Sequence, residues 1–180
     1  SNSNAARIDP ENRLLSHMNR RRLGFEEWRD AMLLVSGSLD PLFGGPSVAL
    51  DDKNNVRRTL YATVNRRDMS PTLMIHDFPD PTQHSPKRTT TTTALQGLYA
   101  LNGELLAEQS KQIVDRLFSE FSENDRTRIT QAYWLLFSRE PTVRELELGL
   151  SYLGNGDEEL KRWQQYIHVL LASNEFVFID

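Results

Sequence analysis

Residues 141–173, PTVRELELGLSYLGNGDEELKRWQQYIHVLLAS, contain two apolar patterns with helical spacing, separated by a glycine-rich break. The first pattern begins with a capping box, in which Thr142 stands three residues before Glu145, and it stops at Gly154. The second pattern begins with acidic residues, which favour the start of a helix. Its apolar positions, three or four residues apart, are Leu160, Trp163, Ile167 and Leu170. The stretch therefore predicts two consecutive amphipathic helices.

A third helix precedes these two, in RTRITQAYWLLFSRE at 126–140. One apolar stripe runs along it, formed by Ile129, Ala132, Tyr133 and Leu136. Trp134, Leu135 and Phe137 widen the stripe until most of the helix surface is apolar, so this helix is predicted to be central. Three successive amphipathic helices with short connections predict a helical bundle.

The helical pattern extends upstream to residue 94. Thr93 is the predicted N-cap of a helix that begins at Ala94, because a threonine hydroxyl accepts a hydrogen bond from the free N–H groups of a first helical turn. Asn102 is predicted to end this helix and to cap the next one, in GELLAEQSKQIVDRLF at 103–118.

The N-terminal half mixes one helix with less regular segments. FEEWRDAMLLVSG at 25–37 predicts an amphipathic helix that stops at Gly37. SLDPLFGGPS at 38–47 predicts an ordered loop that buries its leucines and Phe43. RTLYATV at 58–64 alternates apolar and polar residues, and with TLMIHDF at 72–78 it predicts a small hairpin. The fold class is therefore mainly α, a helical bundle with at most one small β-hairpin, in a single domain of residues 1–180.

Composition excludes several classes of protein. The 180 residues include no cysteine, which excludes disulfides, thiolate nucleophiles, zinc held by cysteine and covalently attached haem. The net charge of −4 is not concentrated into a basic face, so no nucleic-acid partner is expected. The longest apolar runs are shorter than the roughly 20 residues of a membrane span, and SNSNAARIDPENR at 1–13 lacks the apolar core of a signal peptide. His17 and His168 lie in helical patterns and are interpreted as packed or surface residues.

HDFPDPTQHSPKRTTTTTALQGL at 76–98 contains the candidate functional residues, which are His76, Asp77, Asp80, His84, Arg88 and Gln96, with Asn102 just beyond. The histidines and aspartates could converge on a metal ion, but their spacing matches no strong metal motif, and no metal is assigned. Asp77 and Asp80 could form an acid and base pair, but an aspartate beside proline more often bonds its own turn, and no catalytic residue is assigned. Three prolines stiffen the loop, so we expect Arg88 to pair with Asp77 or Asp80 and Gln96 to bond nearby backbone.

The chain also resembles a known family. The resemblance rests on four segments: RRLGFEEWRDAMLLVSGSLDPLFGGPS, RRTLYATVNR, DFPDPTQHSPKRTTTTTALQGLYALN and the terminal LLASNEFVFID. They are similar to the Planctomycete-specific C-terminal domain of unknown function found in large Planctomycete proteins that often carry a cytochrome-c-like domain. Lys87, Arg88, Gln96 and Asn102 fit the family pattern, whereas His84 stands where the family commonly has cysteine and Ala94 where it has proline. The resemblance implies a large exported parent protein and no established activity.

Two functions are consistent with these observations. In the first, the chain is a non-catalytic helical module that closes the C-terminus of a large extracytoplasmic protein and docks on its upstream domains. In the second, the loop 76–88 contributes to a binding or hydrolytic active site that the upstream domains complete. No cofactor is expected in this chain, and an electron-carrying haem, if the parent has one, is expected in another domain.

Overall fold

The computed structural model describes residues 7–16, 18–121, 124–154 and 158–179. The expectations for residues 1–6 and for His17 lie outside these ranges. Eight α-helices and one pair of short strands make up the described chain. In chain order they are β1 (Arg21–Arg22), α1 (Phe25–Ser36), α2 (Pro71–Ile75), α3 (Ala94–Asn102), α4 (Glu104–Glu120), α5 (Asp125–Phe137), α6 (Val143–Leu153), α7 (Glu159–Leu171), α8 (Asn174–Val177) and β2 (Phe178–Ile179). The prediction of a mainly helical fold is confirmed.

Helix α4 lies at the centre of the core. Its most extensive contacts are with α7 and α1, and it also contacts α3 and α5. One continuous stripe of α4 is buried at helical spacing and consists of Leu106, Gln109, Ser110, Ile113, Val114 and Leu117. Four of the six side chains are apolar, as expected for a helix that packs on two sides, and the two polar ones, Gln109 and Ser110, form hydrogen bonds within the domain.

The predicted central position of α5 is wrong. Its stripe of Ile129, Ala132, Tyr133 and Leu136 is buried, but Trp134 on the other side is 47% exposed. Helix α5 therefore buries one face only, and the neighbouring helix α4 takes the central place. Helices α5, α6 and α7 do contact one another. Gly149 allows the close approach, since a Cβ there would lie 2.8 Å from the Tyr166 hydroxyl.

Most predicted helix ends are confirmed. Thr93 accepts from the Gln96 N–H and Thr142 from the Glu145 N–H, each within a complete capping box. Gly37 ends α1 in the left-handed region, with φ 79°. The prediction for Asn102 is half right, because it is the last residue of α3, whereas Gly103 is the N-cap of α4.

The predicted hairpin at 58–78 is absent from the described chain. Thr59–Tyr61 forms a 3-10 turn and Pro71–Ile75 forms α2, which begins with a proline suited to a first helical position. At residues 59 and 60 the burial is the reverse of the predicted alternation. Thr59 is buried, and its N–H and hydroxyl donate to Asp30 at 2.7 and 2.6 Å, whereas Leu60 is exposed. The two strands of the described chain instead join distant segments, with Arg22 opposite Phe178.

The loop at 38–47 is ordered for a different reason from the one expected. Leu42 and Phe43 are exposed, Phe43 by 93%. The guanidinium of Arg57 holds the loop, donating to the Pro46 carbonyl at 2.7 Å and to the Gly44 carbonyl. Side-chain to backbone bonding replaces the expected apolar burial.

One ion-pair cluster joins the C-terminal helices. Arg139 donates to both carboxylate oxygens of Glu145 and to Glu175, so it links the start of α6 to α8. The Arg139 side-chain hydrogen bonds hold the pKa of Glu145 at about 2.

We expect Trp163→Ala to lower the free energy of unfolding by about 3–5 kcal/mol, because Trp163 is fully buried and its removal leaves a cavity. The matched variant Trp134→Ala should cost about 1 kcal/mol or less, since that side chain is half in water. Urea unfolding of both variants measures the difference. Equal costs would contradict the finding that Trp134 lies on an exposed face of α5.

Glu145→Gln should lower the free energy of unfolding by about 1 kcal/mol at pH 7, because glutamine preserves the capping box but removes the charge opposite Arg139. A carboxyl whose folded pKa is depressed stabilises above its unfolded pKa and stops doing so as pH falls through the folded value. The difference between wild type and variant should therefore shrink between about pH 4.5 and 2. Urea titrations along this pH range test it, and a constant difference would contradict it.

Candidate functional site

The loop before α3 is anchored by Asp77. Its Oδ2 accepts from the Thr91 N–H at 2.8 Å, and its Oδ1 accepts from the Thr91 hydroxyl at 2.6 Å. Asp77 has a φ of 59°, a left-handed conformation that aspartate tolerates better than most residues. Burial raises the pKa of Asp77, but the bonds from Thr91 and Gln96 and the charge of Arg22 outweigh it and leave the pKa below its ordinary value. Asp77 is thus a charged acceptor whose bonds close the loop 77–91.

Gln96 connects this loop to the rest of the domain. Its Nε2 donates to the Ile75 carbonyl at 3.0 Å and to Asp77 at 3.1 Å. Its Oε1 accepts from Arg22 at 2.6 Å and from the Thr93 N–H at 3.2 Å. The expectation that Gln96 bonds nearby backbone is confirmed, and its buried amide has two donor and two acceptor contacts.

The two arginines of the site act on different elements. Arg22 of β1 donates to Gln96 and, at 2.6 Å, to the Thr91 carbonyl. Arg88 pairs with Glu26 of α1 at 2.8 Å and lies over the Phe78 ring at 5.1 Å. The expected pairing of Arg88 with Asp77 or Asp80 is wrong, because threonine and glutamine donors already occupy those carboxylates. Arg88 ties the loop to the first turn of α1 instead of to α3.

His76 is packed into an aromatic cluster. Its ring centroid lies 4.6 Å from that of Phe25, 4.7 Å from that of Tyr99 and 5.8 Å from that of Trp28. Nδ1 lies 2.8 Å from the Thr72 carbonyl, which can only accept, so Nδ1 carries the proton. Burial lowers the pKa of His76 and keeps the ring neutral at pH 7. Its buried Nε2 has no hydrogen-bond partner within the described ranges.

A cavity of about 50 Å³ lies beside this network. His76, Asp77, Arg88 and Gln96 contribute to its wall, together with Arg22. Pockets for organic ligands are typically about 300–1,000 Å³, whereas one water occupies about 30 Å³. The cavity therefore has room for water and not for an organic substrate.

The other predicted residues lie away from this cavity. Asp80 accepts from the Thr82 N–H and hydroxyl and from Gln83, which makes it the acceptor of its own turn. His84 is exposed, and Asn102 bonds the Leu98 carbonyl one turn back in α3. No group of three or more histidine, aspartate or glutamate side chains in the described chain could hold a metal ion. Nor is any described helix long and apolar enough to cross a membrane. Asp77 and Asp80 are each used for loop geometry, which removes the basis for an acid and base pair.

A family model covers most of this sequence. Residues 1–153 match the model described as PSD1, protein of unknown function (DUF1553). The chain belongs to the PSD1 family. Comparison with curated proteins and with solved structures gives no match. Membership therefore brings no assigned reaction to this PSD1 chain.

Three residues of the PSD1 site were missed from the sequence: Arg22, Glu26 and Thr91. Arg22 lies 74 positions from Gln96 and Glu26 lies 62 from Arg88, so no local pattern connects them. Thr91 is one of five consecutive threonines, and only its position opposite Asp77 distinguishes it. The basic cluster NRRRL at 19–23 was a visible signal, but without a partner it is typical of a solvated surface.

Gln96→Ala should lower the free energy of unfolding by about 2–3 kcal/mol, because it removes four hydrogen bonds and leaves Arg22 and Asp77 underbonded in a buried site. Gln83→Ala in the same loop is the matched control and should cost less than about 0.5 kcal/mol, since Gln83 is exposed. Arg88→Ala should fall between them, near 1 kcal/mol, because its pair with Glu26 is partly exposed. Thermal and urea unfolding give the order, and a silent Gln96→Ala would contradict the network.

Proposed function

We propose that this PSD1 domain is a non-catalytic interaction module that closes the C-terminus of a large extracytoplasmic Planctomycete protein and docks on its upstream domains. The observation that carries the proposal is the commitment of the loop's chemically capable side chains to internal bonds. Asp77 holds Thr91 and Gln96, Asp80 holds its own turn, and Arg88 holds Glu26. Because the carboxylates of this loop already accept hydrogen bonds from within the domain, we interpret them as groups that fix the loop's position and not as groups that transfer protons.

The surface that follows the loop supports a docking role. Leu95, Leu98 and Leu101 of α3 are 62%, 55% and 62% exposed, and their spacing of three puts them on one side of the helix. Gln96 and Tyr99 occupy the opposite, inward side. Helix α3 contains no charged residue at all. An exposed helix face with leucines and no charge favours an apolar partner over nucleic acid or an acidic surface.

The proposed partner is another domain of the same polypeptide. Uncharged apolar faces are typical of permanent contacts, whereas transient contacts are more polar, so a permanently linked partner fits this face best. His84 is exposed in the loop that leads into α3.

The alternative is an active site that the loop 76–88 shares with upstream domains. Only the free Nε2 of His76 favours it, since a neutral imidazole nitrogen can accept a proton. The aromatic rings around His76 and the small adjoining cavity argue against access by a substrate. The alternative therefore has less support.

Leu95→Glu should weaken binding of this domain to the separately produced upstream domains of its parent protein by about tenfold or more, because a carboxylate would be buried in an apolar contact. Leu148→Glu is the matched control: Leu148 of α6 is also 62% exposed, and its substitution should leave binding unchanged. Isothermal titration calorimetry measures both affinities.

Equal affinities for the two variants would contradict docking through α3. If instead His76→Gln abolished an activity of the full-length protein without changing its melting temperature, the shared active site would replace the interaction module.

A further inference from the structure

A larger cavity lies elsewhere, between α1, the first half of α4 and the segment 50–56. Its volume is about 770 Å³, within the range of small-molecule sites. None of the candidate residues from the loop 76–88 contributes to its wall. Phe25 separates it from the small cavity beside His76, since its ring contributes to both.

The buried floor of this cavity includes a cation that forms no ion pair with a described carboxylate, although the charges of Asp30 and Asp51 act on it from farther away. Arg29 is 3% exposed and donates to the Arg57 carbonyl at 2.9 Å, to the Thr59 hydroxyl at 3.1 Å and to the Asn55 carbonyl. All three acceptors are neutral, and no carboxylate in the described ranges lies within salt-bridge distance of Arg29. A guanidinium has five N–H donors, so two remain unused. Burial lowers the pKa of Arg29, which expresses the cost of keeping this charge out of water.

A second buried donor lies in the same wall. Gln109 of α4 is 5% exposed, and both of its hydrogen bonds end on Oε1, from the Ser36 and Ser38 hydroxyls at 2.6 and 2.9 Å. Its Nε2 is therefore left without an acceptor among the residues that the structure describes. Arg29 and Gln109 together offer unpaired N–H groups to whatever occupies the cavity, and a carboxylate would satisfy both.

The rim of the cavity is acidic, in contrast to the cationic floor. Four exposed acidic side chains belong to the cavity lining: Asp51, Asp52, Glu104 and Glu108. Lys53 pairs with Glu104 at 2.8 Å, and Lys111 also belongs to the lining, so two of these four negative charges are balanced by lysines. Between floor and rim the wall is apolar, with Phe25, Leu33 and Leu50.

We propose that this cavity binds a small amino carboxylate, an aliphatic zwitterion of the amino-acid class. The carboxylate pairs with Arg29 and Gln109 at the floor, the aliphatic part contacts the apolar wall, and the ammonium group faces the acidic rim. A simple anion would meet the repulsion of Asp51 and Asp52, and a simple cation would leave Arg29 unpaired. Only a ligand with both charges satisfies the two ends of the cavity.

Three probes with the same five-carbon chain test the proposal by isothermal titration calorimetry on the whole chain: δ-aminovalerate, valerate and pentylamine. We expect δ-aminovalerate to bind at least about tenfold more tightly than either of the others. Failure of all three to bind at roughly 10 mM, or equal affinities for them, overturns the proposal.

Two sets of variants locate the binding. Gln109→Glu keeps the acceptor for Ser36 and Ser38 but puts a negative charge at the floor, so it should abolish binding of δ-aminovalerate and of valerate. Asp51→Asn with Asp52→Asn keeps the acceptors for Thr72 and the Asn54 N–H but removes two rim charges, so the advantage of δ-aminovalerate over valerate should fall about tenfold.

The matched control is Glu140→Gln with Glu147→Gln, which removes two exposed charges outside the cavity and should change nothing. If Gln109→Glu prevents folding, the variant with Asp51→Asn and Asp52→Asn tests the proposal by itself. Unchanged affinities in the rim variant, or an equal change in the control, would place binding outside this cavity.

Discussion

Burial of one helix on two sides organises this domain. Helix α4 presents its apolar stripe to α7 on one side and to α1 on the other, so the N-terminal and C-terminal parts of the chain share one core. Residues such as Ile113 and Val114 are fully buried. Each buried aliphatic side chain contributes roughly 1.5–3 kcal/mol, more than any half-exposed ion pair in the molecule. The cavity of about 770 Å³ lies where α1 faces this helix.

The polar interior falls into two kinds of site. Around Gln96 every buried amide group has a partner, and the network joins β1, the loop 76–93 and α3. A fully bonded buried network specifies one arrangement of the chain, because a shift of any member leaves donors or acceptors unpaired. Around Arg29 and Gln109, N–H groups without a protein acceptor among the described residues lie beside a cavity of about 770 Å³. The first kind of site stabilises the fold, and the second is where a ligand would gain most from binding.

Placement in the PSD1 family and the absence of a match among curated proteins leave function to be argued from geometry. The loop that is richest in histidine and aspartate is used to hold the chain together. The cavity with room for a ligand is lined by residues that carry no recognisable motif. Residue type alone does not show which of these side chains are available for chemistry, because that depends on whether neighbouring groups already bond them.

What the sequence by itself determined is local. The capping boxes at Thr93 and Thr142, the stop at Gly37 and the helical stripes all depend on residues within one or two turns of each other, so spacing along the chain is enough to predict them. The tertiary structure alone decided which helix is central, which partner Arg88 takes and that Thr59 rather than Leu60 is buried. These outcomes depend on groups that are 29 to 62 positions apart and compete for the same donors and the same buried area. That competition is settled by three-dimensional packing, and no spacing in the sequence records it.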